Sequence, residues 1–324
     1  MDNYKIIFYG NFYGKQGHMN RMDKHQWNFH NYIKETSKYK IELHDETEDI
    51  KSLCDSNTIL YVIAGILPRI VKKVKCYKKI YNYEDVTCRC GYKCLGNSDN
   101  CKSKLSINYI KQFDYIIYRY DTYVIQEQLK DYKLEKFPYY VNGNIFKDWN
   151  LKKKYDILFY GNTWGRFYPM RLRIYNILKK NTDKFNILFI ENSYDNNDEN
   201  NNKNNNENIV GEDLSKLINQ SWLTVATKSI GNLLFLKYYE IAFSKSVVLG
   251  NYPDLEPKYL EGNMVYIDDY MSDSHIISVI EETLSDKNKL LEMANNSHKY
   301  FTTHFEYKNG IEHFDNIITK LIDH

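Results

Sequence analysis

The sequence predicts an α/β fold built from two similar domains in tandem, each with a parallel sheet covered by helices. The first observation is an internal repeat: residues 4–15 read YKIIFYGNFYGK and residues 155–166 read YDILFYGNTWGR. In both copies a run of β-branched and aromatic residues leads into Gly-Asn and then a second glycine, which is typical of a strand–loop–helix opening. The second observation is the alternation of strand-like and helical stretches after residue 155, which indicates a parallel sheet with helices on both faces.

The elements of the first half are short strands that follow the first repeat. Each is a run of β-branched and aromatic residues between polar stretches, a composition that favours strands. These predicted strands lie at 41–45, 58–64, 78–84 and 113–119. Pro138 and Gly143 then interrupt the pattern and indicate a hinge between the two halves.

The second half continues the alternation in a regular order. We predict strands at 185–190, 222–227, 246–250 and 264–268, helices at 213–221 and 232–245, and three closing helical stretches that end with 309–323. Residues 195–208 read DNNDENNNKNNNEN, a polar low-complexity stretch with nothing to bury, so we expect a mobile surface loop without a catalytic role. The domains then run from 1 to 143 and from 144 to 308, and a last helix at 309–324 is expected to pack back toward the first domain.

Composition excludes several classes of protein. The hydrophobic fraction of 43% provides material for a large core, which excludes a disordered chain. The 44 Lys and Arg against 42 Asp and Glu give a net charge of +2, and dedicated nucleic-acid binders usually have a clear cationic excess, so we expect no nucleic-acid partner. No apolar run approaches the ~20 residues of a transmembrane segment, and the first residues are unlike a signal peptide. We expect a cytoplasmic protein, in the host cytoplasm if it is viral.

Ligands of parallel α/β sheets bind beyond the carboxyl ends of the strands, so the residues just after strands are candidates. In the second half a lysine followed by a glycine at a predicted helix start suits an anion, because free N–H groups and the helix dipole favour a phosphate. A solvated loop lysine is the other interpretation. The candidates after the two central strands are Gly161, Asn162, Arg166, Arg171, Thr227, Lys228, Gly231 and Asn232.

The helix predicted at 232–245 is apolar over most of its surface. Its polar residues Lys237, Glu240 and Ser244 are spaced three and seven apart, which places them on one stripe. Two interpretations of Glu240 remain open: it accepts hydrogen bonds from ribose hydroxyls, or it forms an ion pair with Lys237 on a solvated helix face.

The second half resembles glycosyltransferases of the GT-B fold, and within them the CgeB-like branch of group 1. The donor-binding helix, strand and turn of that family resemble the run KYYEIAFSKSVVLGNYP at 237–253. Its glycine loop resembles YDILFYGNTWGRFYPMR, with Arg171 in the arginine position. Its interdomain stretch resembles FPYYVNGNIF. The resemblance implies two Rossmann-like domains that face each other across a cleft.

Carried over to this sequence, the resemblance implies that Glu240 holds the nucleotide ribose. It implies that Arg166, Arg171 and Lys228 bind the donor diphosphate. Many members of group 1 have a second glutamate eight residues earlier, where this chain has Asn232. Such enzymes often need no metal, because cationic side chains stabilise the leaving diphosphate.

The first domain is expected to supply the acceptor side. Its glycine loop contains Gly10, Asn11 and Gly14, and an inverting enzyme would need a base within hydrogen-bond reach of the acceptor hydroxyl. The candidates for this base are His18, which follows the glycine loop most closely, together with Asp23, His25 and Asp121.

Four cysteines lie close together in the first half, at Cys88, Cys90, Cys94 and Cys101. Four thiolates could form a structural zinc site. Their spacing lacks paired C-x2-C units, so disulfides or free thiols remain equally open. We expect no cofactor that catalysis requires.

The main hypothesis is a glycosyltransferase that moves a sugar from a UDP-, GDP- or TDP-linked donor to a hydroxyl of a glycan, protein or small-molecule acceptor. The alternatives are a nucleotide-sugar epimerase on the same scaffold and a non-catalytic protein that binds a nucleotide or carbohydrate.

Overall fold

The structure is a computed structural model of the chain. It describes residues 4–10, 21–45, 47–63, 71, 73–83, 110–121, 129–190, 209–256 and 258–323, and for residues 21–27 it describes the backbone alone. The chain forms two compact units, one made of Met1–Tyr140 and Tyr307–His324, the other of Val141–Glu306. The units thus divide after Tyr140 and Glu306, where the sequence indicated divisions after 143 and 308. The polar stretch at 195–208 lies outside the described residues.

The strands and helices follow one another in a regular order. In the first unit they are β1 (Lys5–Gly10), α1 (Arg21–Thr36), β2 (Lys40–Asp45), α2 (Ile50–Leu53), β3 (Thr58–Ile63), β4 (Lys78–Tyr83), β5 (Tyr115–Tyr118) and β6 (Leu134–Lys136). In the second unit they are β7 (Tyr155–Tyr160), α3 (Pro169–Lys179), β8 (Ile187–Ile190), α4 (Gly211–Asn219), β9 (Ser221–Val225), α5 (Leu236–Phe243), β10 (Val247–Gly250), β11 (Met264–Tyr266), α6 (Asp273–Ser285) and α7 (Lys287–His304). The last helix, α8 (Tyr307–Asp323), belongs to the first unit.

The first unit contains a parallel sheet in the order β2-β1-β3-β4-β5-β6. Its central strand β3 reads TILYVI and is buried along its whole length, as expected for a strand covered on both faces. The strands predicted in this half are confirmed. The short edge strand β6 reads LEK and was not predicted, because it has no apolar run.

Helix α8 packs within the first unit through a glycine, Gly310, and a phenylalanine, Phe314. A methyl group placed on Gly310 would lie 2.7 Å from Cγ of Tyr140 and 2.8 Å from Cζ of Phe29, so only glycine allows this approach. Phe314, fully buried on the same helix, meets the ring of Phe8 on β1 edge-on, with ring centroids 5.4 Å apart.

The second unit contains a parallel sheet in the order β11-β10-β9-β7-β8. Its predicted strands are confirmed, and the buried core lies between the sheet and helices α3, α6 and α7. None of the helices in the described ranges combines the length and the apolar character of a membrane-spanning segment.

The helix predicted at 232–245 is shorter than expected. It begins at Leu236, after the extended Phe235, and ends at Phe243; Asn232, with a left-handed φ of 60°, and Lys245, with one of 56°, both lie outside it. The predicted start beside Gly231 is therefore wrong: single left-handed residues do not continue a right-handed helix. Ser244 caps the helix instead of lying within it.

Gly250 at the end of β10 tests the packing of the second sheet. A methyl group there would lie 1.8 Å from the carbonyl oxygen of Ala226, so we expect Gly250→Ala to lower the free energy of unfolding by about 3 kcal/mol. Gly262 is the matched control, since its φ is 73° but no atom lies within 4 Å of the added methyl. Gly262→Ala is expected to lower the free energy of unfolding by about 1 kcal/mol, and urea titration of both variants measures the two costs. Equal costs for the two variants would contradict the predicted clash.

Candidate functional site

The candidate site lies where the strand order of the second sheet reverses. Strand β7 has β8 on one side and β9 on the other, so the connections from β7 and β9 leave in opposite directions. Ligands of open parallel sheets bind beyond the carboxyl ends of the strands at such a reversal. Two segments meet this condition here, residues 161–168 after β7 and residues 226–235 after β9.

Arg171 on α3 joins these two segments. Its Nη1 donates to the carbonyl oxygen of Asn162 at 3.2 Å and its Nη2 to that of Thr227 at 3.5 Å. The guanidinium lies over the ring of Tyr168, 4.0 Å from the centroid, and the residue is 5% exposed. Two atoms beside these contacts, the Nε of Arg171 and the Oγ1 of Thr227, are buried and have no hydrogen-bond partner among the residues that the structure describes.

The partners of Arg171 are carbonyl oxygens and an aromatic ring. Burial lowers the pKa of its guanidinium, and nearby tyrosines oppose that shift. A guanidinium stays charged under these conditions. The site therefore contains a buried positive charge that no carboxylate balances within the part of the chain that the structure describes.

A second cation converges on the same glycine. Gly161 follows β7 with a φ of 95°, and a methyl group placed on it would lie 2.8 Å from Nζ of Lys237 and 3.6 Å from Nη1 of Arg171. Lys237 donates to the carbonyl oxygen of Tyr160 and lies over that tyrosine's ring, 3.7 Å from its centroid. The glycine thus permits two cations to approach the end of β7.

Glu240 lies one turn along α5 from Lys237 and also contacts Tyr160. Its Oε2 accepts a hydrogen bond from the Tyr160 hydroxyl at 3.3 Å. The carboxylate is partly exposed, so it does not carry the desolvation cost of a buried charge. Tyr160 was part of the sequence repeat, but nothing in the pattern indicated that its two ends would position Lys237 and Glu240.

Lys228, Gly231 and Asn232 belong to a hydrogen-bonded loop rather than to a helix start. Nζ of Lys228 lies 3.3 Å from both carboxylate oxygens of Asp254, and its N–H donates to Oδ1 of Asn251 at 3.0 Å. Asn232 accepts from the N–H of Asp254 through Oδ1 at 3.2 Å. Nothing in the sequence indicated Asn251 and Asp254, which lie 23 and 22 residues along the chain from Lys228 and Asn232, respectively.

Arg166 is exposed, and its guanidinium lies over the ring of Phe167, 4.7 Å from the centroid. Asn162 uses its side chain locally: Oδ1 accepts from the N–H of Trp164 at 2.7 Å. The structure brings together five of the donor-side candidates and places Glu240 next to them through Tyr160; the five are Gly161, Asn162, Arg171, Thr227 and Lys237.

In the first unit the strand order reverses at β1, which has β2 on one side and β3 on the other. Gly10 ends β1, and a methyl group on it would lie 2.9 Å from Cβ of Ile63. Asp121, three residues after β5, forms an ion pair with Lys136 on β6. Asp23 and His25 lie within helix α1. The candidates outside the described residues are Asn11, Gly14, His18, Cys88, Cys90, Cys94 and Cys101.

The two cysteines that the structure describes, Cys54 and Cys76, are free thiols packed against the core of the first unit. Burial raises the pKa of Cys54 to about 12 and that of Cys76 to about 11, so neither is a thiolate at neutral pH. Within the described ranges, no group of three His, Cys, Asp or Glu is arranged to hold a metal ion.

Comparison with known proteins gives matches among solved structures. No protein family and no curated protein matches the sequence. A sucrose-phosphate synthase from Thermosynechococcus elongatus is similar with a TM-score of 0.63 at 8% identity, over 99% of each chain. BGT of phage T4, solved with its UDP-glucose substrate, matches with a TM-score of 0.57 at 13% identity, over 99% of this chain and 100% of the other. An α-glucosyltransferase solved with UDP and a 13-mer DNA matches with a TM-score of 0.60 at 11% identity, over 98% and 100%.

These matches show the fold. The chain has the GT-B fold of glycosyltransferases, as its sequence predicted. Identities this low do not distinguish branches, so the similarity to the CgeB-like branch stays a prediction.

Asn232 offers a test of the loop interpretation. Because its φ is 60°, we expect Asn232→Ala to lower the free energy of unfolding by about 1–2 kcal/mol. Asn232→Gly keeps the backbone conformation at no steric cost and loses only the bond to Asp254, so a loss of about 1 kcal/mol or less is expected. Urea unfolding of both variants measures the order. A larger cost for glycine than for alanine would contradict the interpretation of Asn232 as a turn residue.

Proposed function

We propose that this protein is a glycosyltransferase that binds a nucleotide-sugar donor in its second unit and transfers the sugar to an acceptor hydroxyl. One observation carries the proposal: Arg171 and Lys237 converge on Gly161 at the point where the strand order reverses. Two cations at that point suit a diphosphate, the leaving group of a nucleotide-sugar.

The charge of the site supports this chemistry. Departure of a nucleoside diphosphate leaves negative charge on its phosphate oxygens, and fixed cations in a water-poor site stabilise that charge. Arg171 is held by two carbonyl oxygens and a ring, so its position is set before any ligand arrives. These side chains can supply the positive charge that other transferases take from a metal ion, and we propose a reaction that needs no cofactor.

The nucleotide's ribose is assigned to Glu240. The two oxygens of a partly exposed carboxylate can accept hydrogen bonds from both vicinal hydroxyls, and the resemblance to group 1 glycosyltransferases implies the same role. The Tyr160 hydroxyl holds one carboxylate oxygen, Oε2. This bond orients the carboxylate without neutralising it.

We propose a uridine diphosphate sugar as the donor, with GDP- and TDP-sugars as the alternatives. Two of the similar structures contain UDP or UDP-glucose. UDP-glucose is therefore the first donor to test.

The acceptor hydroxyl needs a base, and we assign it to the first unit. Asp121 is the described candidate, and its carboxylate already forms an ion pair with Lys136. Asp23, His25 and His18 remain the other candidates. One similar structure contains DNA, so duplex DNA belongs in the acceptor screen beside glycans, proteins and small molecules.

Lys237 tests the diphosphate site. We expect Lys237→Met to weaken UDP binding at least tenfold, because a charge-assisted hydrogen bond contributes about 1.5–3 kcal/mol. Isothermal titration with UDP measures the change. Lys147→Met is the matched control, since Lys147 also lies over an aromatic ring, 4.2 Å from the centroid of Trp149, but away from Gly161. Equal UDP affinity of both variants and the wild type would refute the diphosphate assignment.

The fate of UDP-glucose separates the three functions. Slow release of UDP and glucose without acceptor favours a transferase, and an epimerised sugar still attached to UDP indicates an epimerase. Binding without either reaction, in the acceptor screen as well, indicates a binding protein and contradicts the proposal.

Glu240 tests the ribose assignment. Wild-type protein is expected to bind UDP about tenfold more tightly than 2′-deoxy-UDP, because one hydroxyl bond to a carboxylate is lost. Glu240→Ala should bind both ligands with the same, weaker affinity. Titrations of the two ligands against the two proteins give this comparison, and near-UV circular dichroism checks the fold. A preference for UDP that survives in Glu240→Ala would place the ribose elsewhere.

A further inference from the structure

An exposed aromatic surface lies next to the proposed diphosphate site. Trp164 is 47% exposed and Ile230 is 48% exposed, although both are large apolar residues. The ring of Phe167 lies 6.2 Å from that of Trp164, between centroids. We call Trp164, Phe167 and Ile230 the aromatic platform.

The backbone of the platform is fixed by hydrogen bonds. The N–H groups of Phe167 and Tyr168 both donate to the carbonyl oxygen of Trp164, at 2.9 and 2.8 Å. The N–H of Ile230 donates to the carbonyl oxygen of Phe167 at 2.9 Å, which ties the segment after β9 to the segment after β7. An exposed tryptophan on an ordered loop loses little further conformational entropy when it binds a ligand.

The platform adjoins the candidate donor site through Asn162. The side chain of Asn162 accepts from the N–H of Trp164, and its carbonyl oxygen accepts from Arg171. Asn162 therefore ties the backbone of Trp164 to the guanidinium that would hold a diphosphate. Sugar transfer requires the acceptor hydroxyl to lie beside the donor sugar, so a sugar-binding surface on this loop suits an acceptor.

The second unit as a whole lacks the cationic excess that nucleic acid favours; at the platform itself, the guanidinium of Arg166 lies over the ring of Phe167. Residues 141–306 contain 19 Lys and Arg against 22 Asp and Glu. A nucleic-acid backbone gains affinity from cationic surfaces, and this unit has a net negative charge. The apolar C–H face of a pyranose ring, by contrast, packs on an aromatic ring without any charge.

We propose that the aromatic platform binds a pyranose ring of a carbohydrate acceptor, with Trp164 stacked against the sugar face. This inference rests on the proposed function and names its acceptor class. Trp164 is the residue that determines acceptor affinity, whereas Arg171 and Lys237 determine donor affinity.

Saturation-transfer difference NMR on the full chain tests the platform directly. Maltose, cellobiose, lactose and methyl glucosides serve as probes, each measured with and without UDP. We expect sugar C–H protons to be saturated in the wild type, and Trp164→Ala to weaken saccharide binding at least tenfold. Trp164→Tyr keeps an aromatic face and is expected to restore most of the affinity. Tyr270→Ala is the control, because Tyr270 is also an exposed aromatic of the second unit, 96% exposed after β11.

UDP titration of the same samples distinguishes the two proposals. Unchanged UDP affinity in Trp164→Ala, together with lost saccharide binding, supports the platform. A wild type that binds saccharides but not UDP contradicts the proposed function and leaves the platform standing as a carbohydrate site. Saccharide binding that survives in Trp164→Ala overturns the inference, as does a wild type that binds a 13-mer DNA duplex and none of the saccharides.

Discussion

The buried guanidinium of Arg171 is the interaction on which the candidate site depends. Removing a cation from water is costly, and two carbonyl oxygens and the ring of Tyr168 recover only part of that cost. In exchange, the guanidinium holds the segments after β7 and β9 in one arrangement. No carboxylate among the described residues pairs with it, so its charge makes the end of β7 attractive to an anion. The same residue therefore gives the site both its shape and its electrostatic potential.

The rest of the site follows from how close the chain can come to that cation. Gly161 is required because its φ is 95° and because Lys237 occupies the space of any side chain. Lys237 lies in the first turn of α5, which begins at Leu236 after the extended Phe235. Tyr160 then positions both Lys237 and Glu240, one through its carbonyl oxygen and the other through its hydroxyl. Tyr160 thus links the two donor-side candidates of α5 to the end of β7.

The sequence predicted the fold well because both sheets are parallel and buried. Such strands are continuous apolar runs, so β3 and β7 could be recognised without any long-range information. The edge strand β6 could not, since its three residues acquire strand geometry only by pairing with β5. The site was predicted in part: Arg171 and Lys237 follow from a strand end and a helix stripe. The partners of Lys228 could not be predicted, because Asn251 and Asp254 approach it through tertiary structure alone.

The cations of the site differ in how much charge they can offer a ligand. Lys228 already faces the carboxylate of Asp254, so an anion gains from it only by competing with that pair or by sharing it. That pair is exposed on the Asp254 side and water screens it, which limits its strength. Arg171 has no such partner in the described part of the chain, and burial removes the water that would screen it. We therefore expect the electrostatic contribution to anion binding to come mainly from Arg171. In the sequence, by contrast, the more visible feature is Lys228, which precedes Gly231 by three residues.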